Sequence, residues 1–158
     1  MTREEHEALM GLALALAREA EAAGEVPVGA VVAQESRVIA RAYNRREADG
    51  DPTAHAEILA LREAARVLGR RRLRDCTLYV TLEPCPMCAG AMVMAELGQC
   101  YFGARDERQG CAESLYALTM EPSFYHRLPC VGGLLAGEAE ALMRRFFAER
   151  RAGDGSSG

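Results

Sequence analysis

Four residues stand out for what their types and spacing could do together: His55, Glu57, Cys85 and Cys88. Two thiolates and an imidazole supply three ligands to zinc, an ion that prefers four in a tetrahedral array. The fourth position can then hold water. Glu57 follows the imidazole by two residues, and a carboxylate there is placed to move that water's proton. The set therefore points to hydrolysis. A divalent ion with two thiolates and a neutral His has a net charge near zero, and water held by such an ion is acidified toward a pKa of about 7, less strongly where thiolates donate charge.

Neither half of the pattern is specific alone. C-x-x-C can be redox-active, half of a structural zinc site, or two ordinary buried cysteines, and a His near a Glu is common on any helix. Joined, with Pro84 ahead of the first Cys and tens of residues between the halves, they match H-x-E…P-C-x-x-C, the known signature of zinc-dependent nucleobase deaminases. The competing reading is a closed structural site in which another Cys takes the fourth position.

Elements must bring these residues together. Pro86 suits the first position of a helix, where its missing N–H is not needed, which makes Cys85 the N-cap and Cys88 the third helical residue. Both sulfurs then lie at the positive end of the helix dipole, which favours thiolate. Thr53 is expected to cap a second helix with an apolar face of Ile58, Leu61, Ala65 and Leu68, placing His55 in its first turn. His55 and Glu57 lie about 200° apart on an ideal helix, so Glu57 serves as an acid/base rather than a ligand.

The remaining pattern alternates helices and strands. Thr2 and Glu5 form a capping box before a stripe of Leu9, Leu12, Ala13, Leu16 and Ala20, and Gly24 ends that helix. Strands are expected over 28–33 and 38–43 as a hairpin, followed by a polar loop over 44–52. Further strands are expected over 76–82, 99–104 and 131–135, a helix over 85–97, and an irregular segment over 105–129 with a helical turn or more. Ala139, Leu142, Met143, Phe146 and Phe147 mark an amphipathic last helix. The strands around Val31 and Val80 are apolar on both faces, so helices must cover both sides. The expected fold is α/β, a three-layer α/β/α domain with a mixed five-stranded sheet over 1–152, followed by a flexible tail over 153–158.

With 158 residues the chain suits one domain with a substantial core. Apolar residues make up 49% without a long uninterrupted span, which argues against a membrane helix. The acidic start at Glu4 and Glu5 is unlike a secretory signal, and Cys76, Cys100, Cys111 and Cys130 read as reduced packing residues, so a cytoplasmic location is expected. The net charge of −4 excludes a generic polyanion binder. All 19 basic residues are nevertheless Arg, with clusters at Arg70, Arg71, Arg72, Arg74 and at Arg144, Arg145, Arg150, Arg151. Such clusters suit phosphate and base recognition, or equally form a solvated face.

Three stretches carry a resemblance: GEVPVGAV over 24–31, DPTAHAE over 51–57 and LYVTLEPCPMCAGAM over 78–92. With FGARD over 102–106, His126-Arg127 and the Phe146-Phe147…Arg150-Arg151 ending, the chain resembles the bacterial tRNA-specific adenosine deaminases of the cytidine deaminase-like superfamily. The resemblance implies a homodimer that converts the wobble adenosine of a tRNA anticodon stem-loop to inosine. It implies one Zn2+ per chain on His55, Cys85 and Cys88, with Glu57 as proton shuttle. It places Asn44 against the flipped nucleotide, with Val28 and Ala56 lining its pocket, and Arg72, Asp106, Arg127, Phe147 and Arg150 toward the RNA. Where these enzymes usually carry Arg, Gly and Asn, this chain has Glu96, Glu113 and Tyr125. Pro86-Met87 also occurs in guanine deaminases, so a deaminase of guanine or another free nucleobase or nucleoside stays open. So does a non-catalytic RNA-binding subunit with structural zinc.

Overall fold

The computed structural model describes residues 1–157. Helix α1, Arg3–Ala22, begins at the capping box: Thr2 Oγ1 accepts from the Glu5 amide at 3.1 Å, and Glu5 Oε2 accepts from the Thr2 amide at 2.8 Å. The hairpin follows as β1, Gly29–Gln34, and β2, Arg37–Tyr43. The expected polar loop contains one short helix, α2, Arg46–Asp49. Next come α3, Ala56–Leu68, β3, Thr77–Leu82, α4, Pro86–Met94, and β4, Gln99–Ala104. The segment after β4 holds a single 3-10 turn, Leu118–Met120. Strand β5, Cys130–Val131, and helix α5, Ala136–Ser157, complete the chain.

The sheet order is β2-β1-β3-β4-β5. β1 pairs antiparallel with β2 and β3, whereas β3–β4 and β4–β5 are parallel. Alternation along the strands divides the core. Ala30, Val32, Leu78 and Val80 pack with Ala60 and Leu61 of α3 and with Ala89 and Met92 of α4. Val31, Ala33 and Tyr79 face the other way, onto Leu9, Met10, Ala13 and Leu14 of α1 and Ala139 and Leu142 of α5. Period-two side-chain alternation with both faces buried is what a sheet between two helical layers requires. The mixed five-stranded α/β/α architecture is thus as expected.

Three local expectations are corrected. Thr53 does not cap α3: its hydroxyl donates to Asp51 Oδ1 at 2.8 Å, and the helix starts at Ala56 with His55 as N-cap. β5 has two residues rather than five, because Gly133 turns the chain at φ +94°, a conformation that removes it from a strand. α5 runs on through 153–157, which the sequence reading assigned to a flexible tail; residue 158 lies outside the described residues.

Candidate metal centre and active site

The parallel pairing of β3 with β4 needs a crossover, and α4 supplies it. Its first turn therefore lies beyond the carboxyl end of β3, where open α/β sheets place their ligands. Cys85 is the N-cap, Pro86 opens the helix and Cys88 is its third residue, as the sequence implied. His55 is held in extended backbone, φ −74° and ψ 151°, just outside α3. Two helix starts thereby converge.

His55 Nδ1 lies 3.7 Å from Cys85 Sγ and 3.5 Å from Cys88 Sγ. Zn–S bonds of about 2.3 Å and Zn–N bonds of about 2.0–2.1 Å at tetrahedral angles require N···S separations of about 3.6 Å. Among the described residues, these three form the cluster of ligand atoms, all within 4.8 Å of one another, that could hold a metal ion. The donor set and its spacing fit zinc. The Cys88–Cys85 hydrogen bond lowers Cys85 to about 4 and raises its donor Cys88, so the pair already stabilises one thiolate. All six cysteines are free, and Cys76, Cys100, Cys111 and Cys130 take no part in the cluster.

Glu57 occupies the second position of α3 and is 4% exposed. Burial raises its pKa to about 7, and the neighbouring Cys85 adds to the rise, against smaller opposing effects of its own amide, His55 and the Cys88 thiol. A carboxyl poised near neutrality can both take and return a proton.

The pocket candidates are knitted to the same place. Asn44 is 5% exposed. Its amide donates to Val28 O at 3.0 Å, Nδ2 donates to Val26 O at 3.4 Å, and Oδ1 accepts from the Arg46 amide at 3.2 Å. The Arg45 amide donates to Ala54 O at 3.0 Å, tying this corner to the turn before His55. Val28 and Ala56 share one core cluster.

The five candidate RNA residues are spread over three segments. Arg72 donates through Nε to Glu96 Oε2 at 2.9 Å, and Arg74 binds the other oxygen of the same carboxylate. Asp106 Oδ1 accepts the Arg108 and Gln109 amides at 3.0 and 3.2 Å, closing a turn. Arg127 Nη1 donates to Pro122 O at 2.8 Å. On α5, Phe147 is exposed and edge-on to Phe146, and the Arg150 guanidinium lies 5.3 Å from the Phe146 ring centroid. Of the three departures, Glu96 is buried and held by the two Arg, Glu113 pairs with Arg105 Nε at 2.8 Å, and the Tyr125 hydroxyl donates to Val93 O at 3.3 Å. The charge of Glu113 is therefore balanced on the protein itself.

Sequence reasoning passed over two buried carboxylates. Glu25 accepts the Glu47 and Ala48 amides at 3.1 and 2.8 Å and so caps α2. Glu83, at the end of β3, accepts five hydrogen bonds from the segment after β4. A charged residue closing an otherwise apolar strand run was the available signal for Glu83.

A mixed three-layer α/β/α fold with His, Cys, Cys and a buried Glu gathered at two helix starts defines the class of zinc-dependent hydrolases. The match to the cytidine and deoxycytidylate deaminase zinc-binding region spans residues 3–104. The chain belongs to this deaminase family. It is 45% identical over 151 residues to the tRNA-specific adenosine deaminase of Bacillus subtilis (strain 168), covering 96% of this chain and 92% of that protein. A solved structure from a study of A-to-I editing by tRNA:A34 deaminases at the wobble position of transfer RNA superposes with a TM-score of 0.82 at 43% identity, covering 85% of this chain and 97% of that one. A guanine deaminase from Nitrosomonas europaea superposes with a TM-score of 0.78 at 30% identity, covering 90% and 84%.

Proposed function

We propose that this chain is a zinc-dependent hydrolytic deaminase that converts the wobble adenosine of a tRNA anticodon to inosine. The observation that carries the chemistry is the buried Glu57 beside a His55, Cys85 and Cys88 set with zinc-like spacing. Similarity at 45% identity over 96% of the chain to a tRNA-specific adenosine deaminase, against 30% over 90% to one guanine deaminase and 42% over only 63% to another, supports the RNA substrate over the free base.

In this reading His55, Cys85 and Cys88 hold one Zn2+ per chain. Zinc bound there supplies the Lewis acidity that makes a water nucleophilic near neutral pH. Glu57 takes the proton of the attacking water and delivers it to the ring nitrogen of the base. As the water oxygen bonds to the amine-bearing carbon, Glu57 takes the remaining proton from the added hydroxyl and carries it to the amine; the C–N bond breaks, a carbonyl forms and ammonia leaves. Asn44 holds the extruded nucleotide in a pocket bordered by Val28 and Ala56. Extrusion is inexpensive in an anticodon loop, whose bases are already unpaired. Arg72, Asp106, Arg127, Phe147 and Arg150 form the outer RNA contacts. One catalytic domain covers 1–152, with 153–158 appended to it.

The chain acts as a homodimer in this proposal. An apolar groove of about 300 Å³ between α3 and α4, lined by Ile58, Leu61, Ala65, Leu73, Ala91 and Met94, is the surface a second copy covers. Met94 is 67% exposed in the single chain, which supports such cover. Light scattering should give twice the chain mass; a monomer active on stem-loop RNA contradicts the dimer. No helix of the described residues is long and apolar enough to cross a membrane, and six unpaired cysteines support a cytoplasmic location.

A product assay across stem-loop RNAs and free bases tests the substrate. Inosine should form at the wobble position, with guanine, cytidine and free adenosine reacting poorly. Rapid guanine deamination without inosine in any tRNA overturns the assignment.

A further inference from the structure

Glu83 directly follows β3, two residues before the Cys85 ligand, and is only 2% exposed. Oε1 accepts from the Asp106 amide at 3.0 Å and the Ser114 hydroxyl at 2.5 Å. Oε2 accepts from the amides of Ala112, Glu113 and Ser114 at 3.2, 2.7 and 2.8 Å. One carboxylate thus gathers both ends of the 106–114 segment. No regular element could do this, since the segment holds no strand or helix.

Two further contacts fix the distance between that segment and the metal turn. The Cys111 amide donates to Pro84 O at 2.8 Å, directly beside Cys85. A Cβ at position 110 would overlap both the Glu83 carboxylate and the Asp106 carbonyl, so Gly110 permits the close approach. Asp106, a candidate RNA contact, begins the segment. A shift of the carboxylate therefore moves the 106–114 segment relative to the turn that carries Cys85.

We propose that Glu83 is a positioning residue: it sets the 106–114 segment as a wall of the substrate site at a fixed height beside the metal turn, and thereby determines how tightly the RNA loop is held. The inference rests on the deaminase reading above and adds a specific role to a residue outside the metal set. Burying a carboxylate is costly unless its lone pairs are met, and five donors meet them here. The same donors would be mismatched by an amide. In Glu83→Gln the side-chain NH2 must face an N–H or the hydroxyl, while the shape is retained.

The test measures steady-state kinetics on a stem-loop RNA that the wild-type protein deaminates, together with zinc content and amide exchange. Glu83→Gln should keep one zinc per chain, raise KM for the stem-loop by roughly tenfold and change kcat by less than about threefold, the signature of lost positioning rather than lost proton transfer. Exchange should accelerate at the amides of Asp106, Ala112, Glu113 and Ser114. Ser114→Ala, which removes a single donor and leaves the amides in place, should give a smaller KM rise of roughly twofold. If Glu83→Gln does not fold, Ser114→Ala decides alone: a raised KM supports the role, and an unchanged KM overturns it. A folded, zinc-loaded Glu83→Gln with wild-type KM overturns it too. Absence of wild-type activity on every stem-loop would instead count against the functional reading; in that case the exchange at the four amides decides whether Glu83 holds the segment.

Discussion

Glu57 and Glu83 are the same residue type and both buried, at 4% and 2% exposure. Their acidities move in opposite directions. Burial raises Glu57 to about 7. Burial also pushes Glu83 upward, yet the hydrogen bonds from Ser114, Asp106 and Glu113 outweigh it and hold its carboxyl below the ordinary value. The difference teaches that burial alone does not assign a role. A buried carboxylate met by several hydrogen-bond donors is held below its ordinary value and organises backbone, whereas one whose burial outweighs its few donors is raised and can exchange a proton.

The largest expected effect comes from removing the metal from one side of this comparison. Cys88→Ala deletes a ligand at the third position of α4. Zinc should be lost and turnover abolished, and Tm should fall by roughly 4–12 °C, from a loss of about 2–3 kcal/mol at about 2–4 °C per kcal/mol for a chain of this size. Exchange protection of the amides bound by Glu83 should persist, since none of its donors is a metal ligand. Unchanged zinc content in this variant would break the ligand assignment.

A smaller effect extends the comparison to a third buried carboxylate. Hydrogen bonds and charge from Arg74 and Arg72 lower Glu96 below its ordinary value of 4.5. Its folded pKa lies below its unfolded one, so its contribution to stability is complete above that value and is lost as pH falls through the folded pKa. Glu96→Gln should therefore lower Tm modestly near pH 7, and its Tm curve should converge with that of the wild-type protein as the pH is lowered below 4.5. Parallel curves across that range would mean the two Arg contribute nothing through ionisation.

The sequence made one half of the site legible and obscured the other. Pro86 settled the start of α4, so Cys85 and Cys88 could be placed before any coordinates. Thr53 misled because Asp51 competes for its hydroxyl, a local side-chain alternative to capping. The consequence is useful: His55 leaves the helix, which removes the angular conflict with Glu57. The strand over 99–104 was legible from its apolar run, and the first strand, expected over 28–33, lies one residue further on at Gly29–Gln34. The segment after β4 was not, because what orders it is Glu83, more than twenty residues away in sequence. Period and propensity carry no trace of such a contact. Of the departures, Glu96 and Glu113 bring charges that Arg72, Arg74 and Arg105 balance in the fold.

The most direct test of the account is zinc content and single-turnover rate measured on the same sample of Glu57→Gln. Gln keeps the shape and cannot shuttle a proton. With Glu57 as the proton shuttle, the variant should hold one zinc per chain, melt as the wild-type protein does and react more slowly by roughly 10²–10⁴-fold. A zinc-loaded variant that deaminates at the wild-type rate would contradict it and leave the metal a structural role.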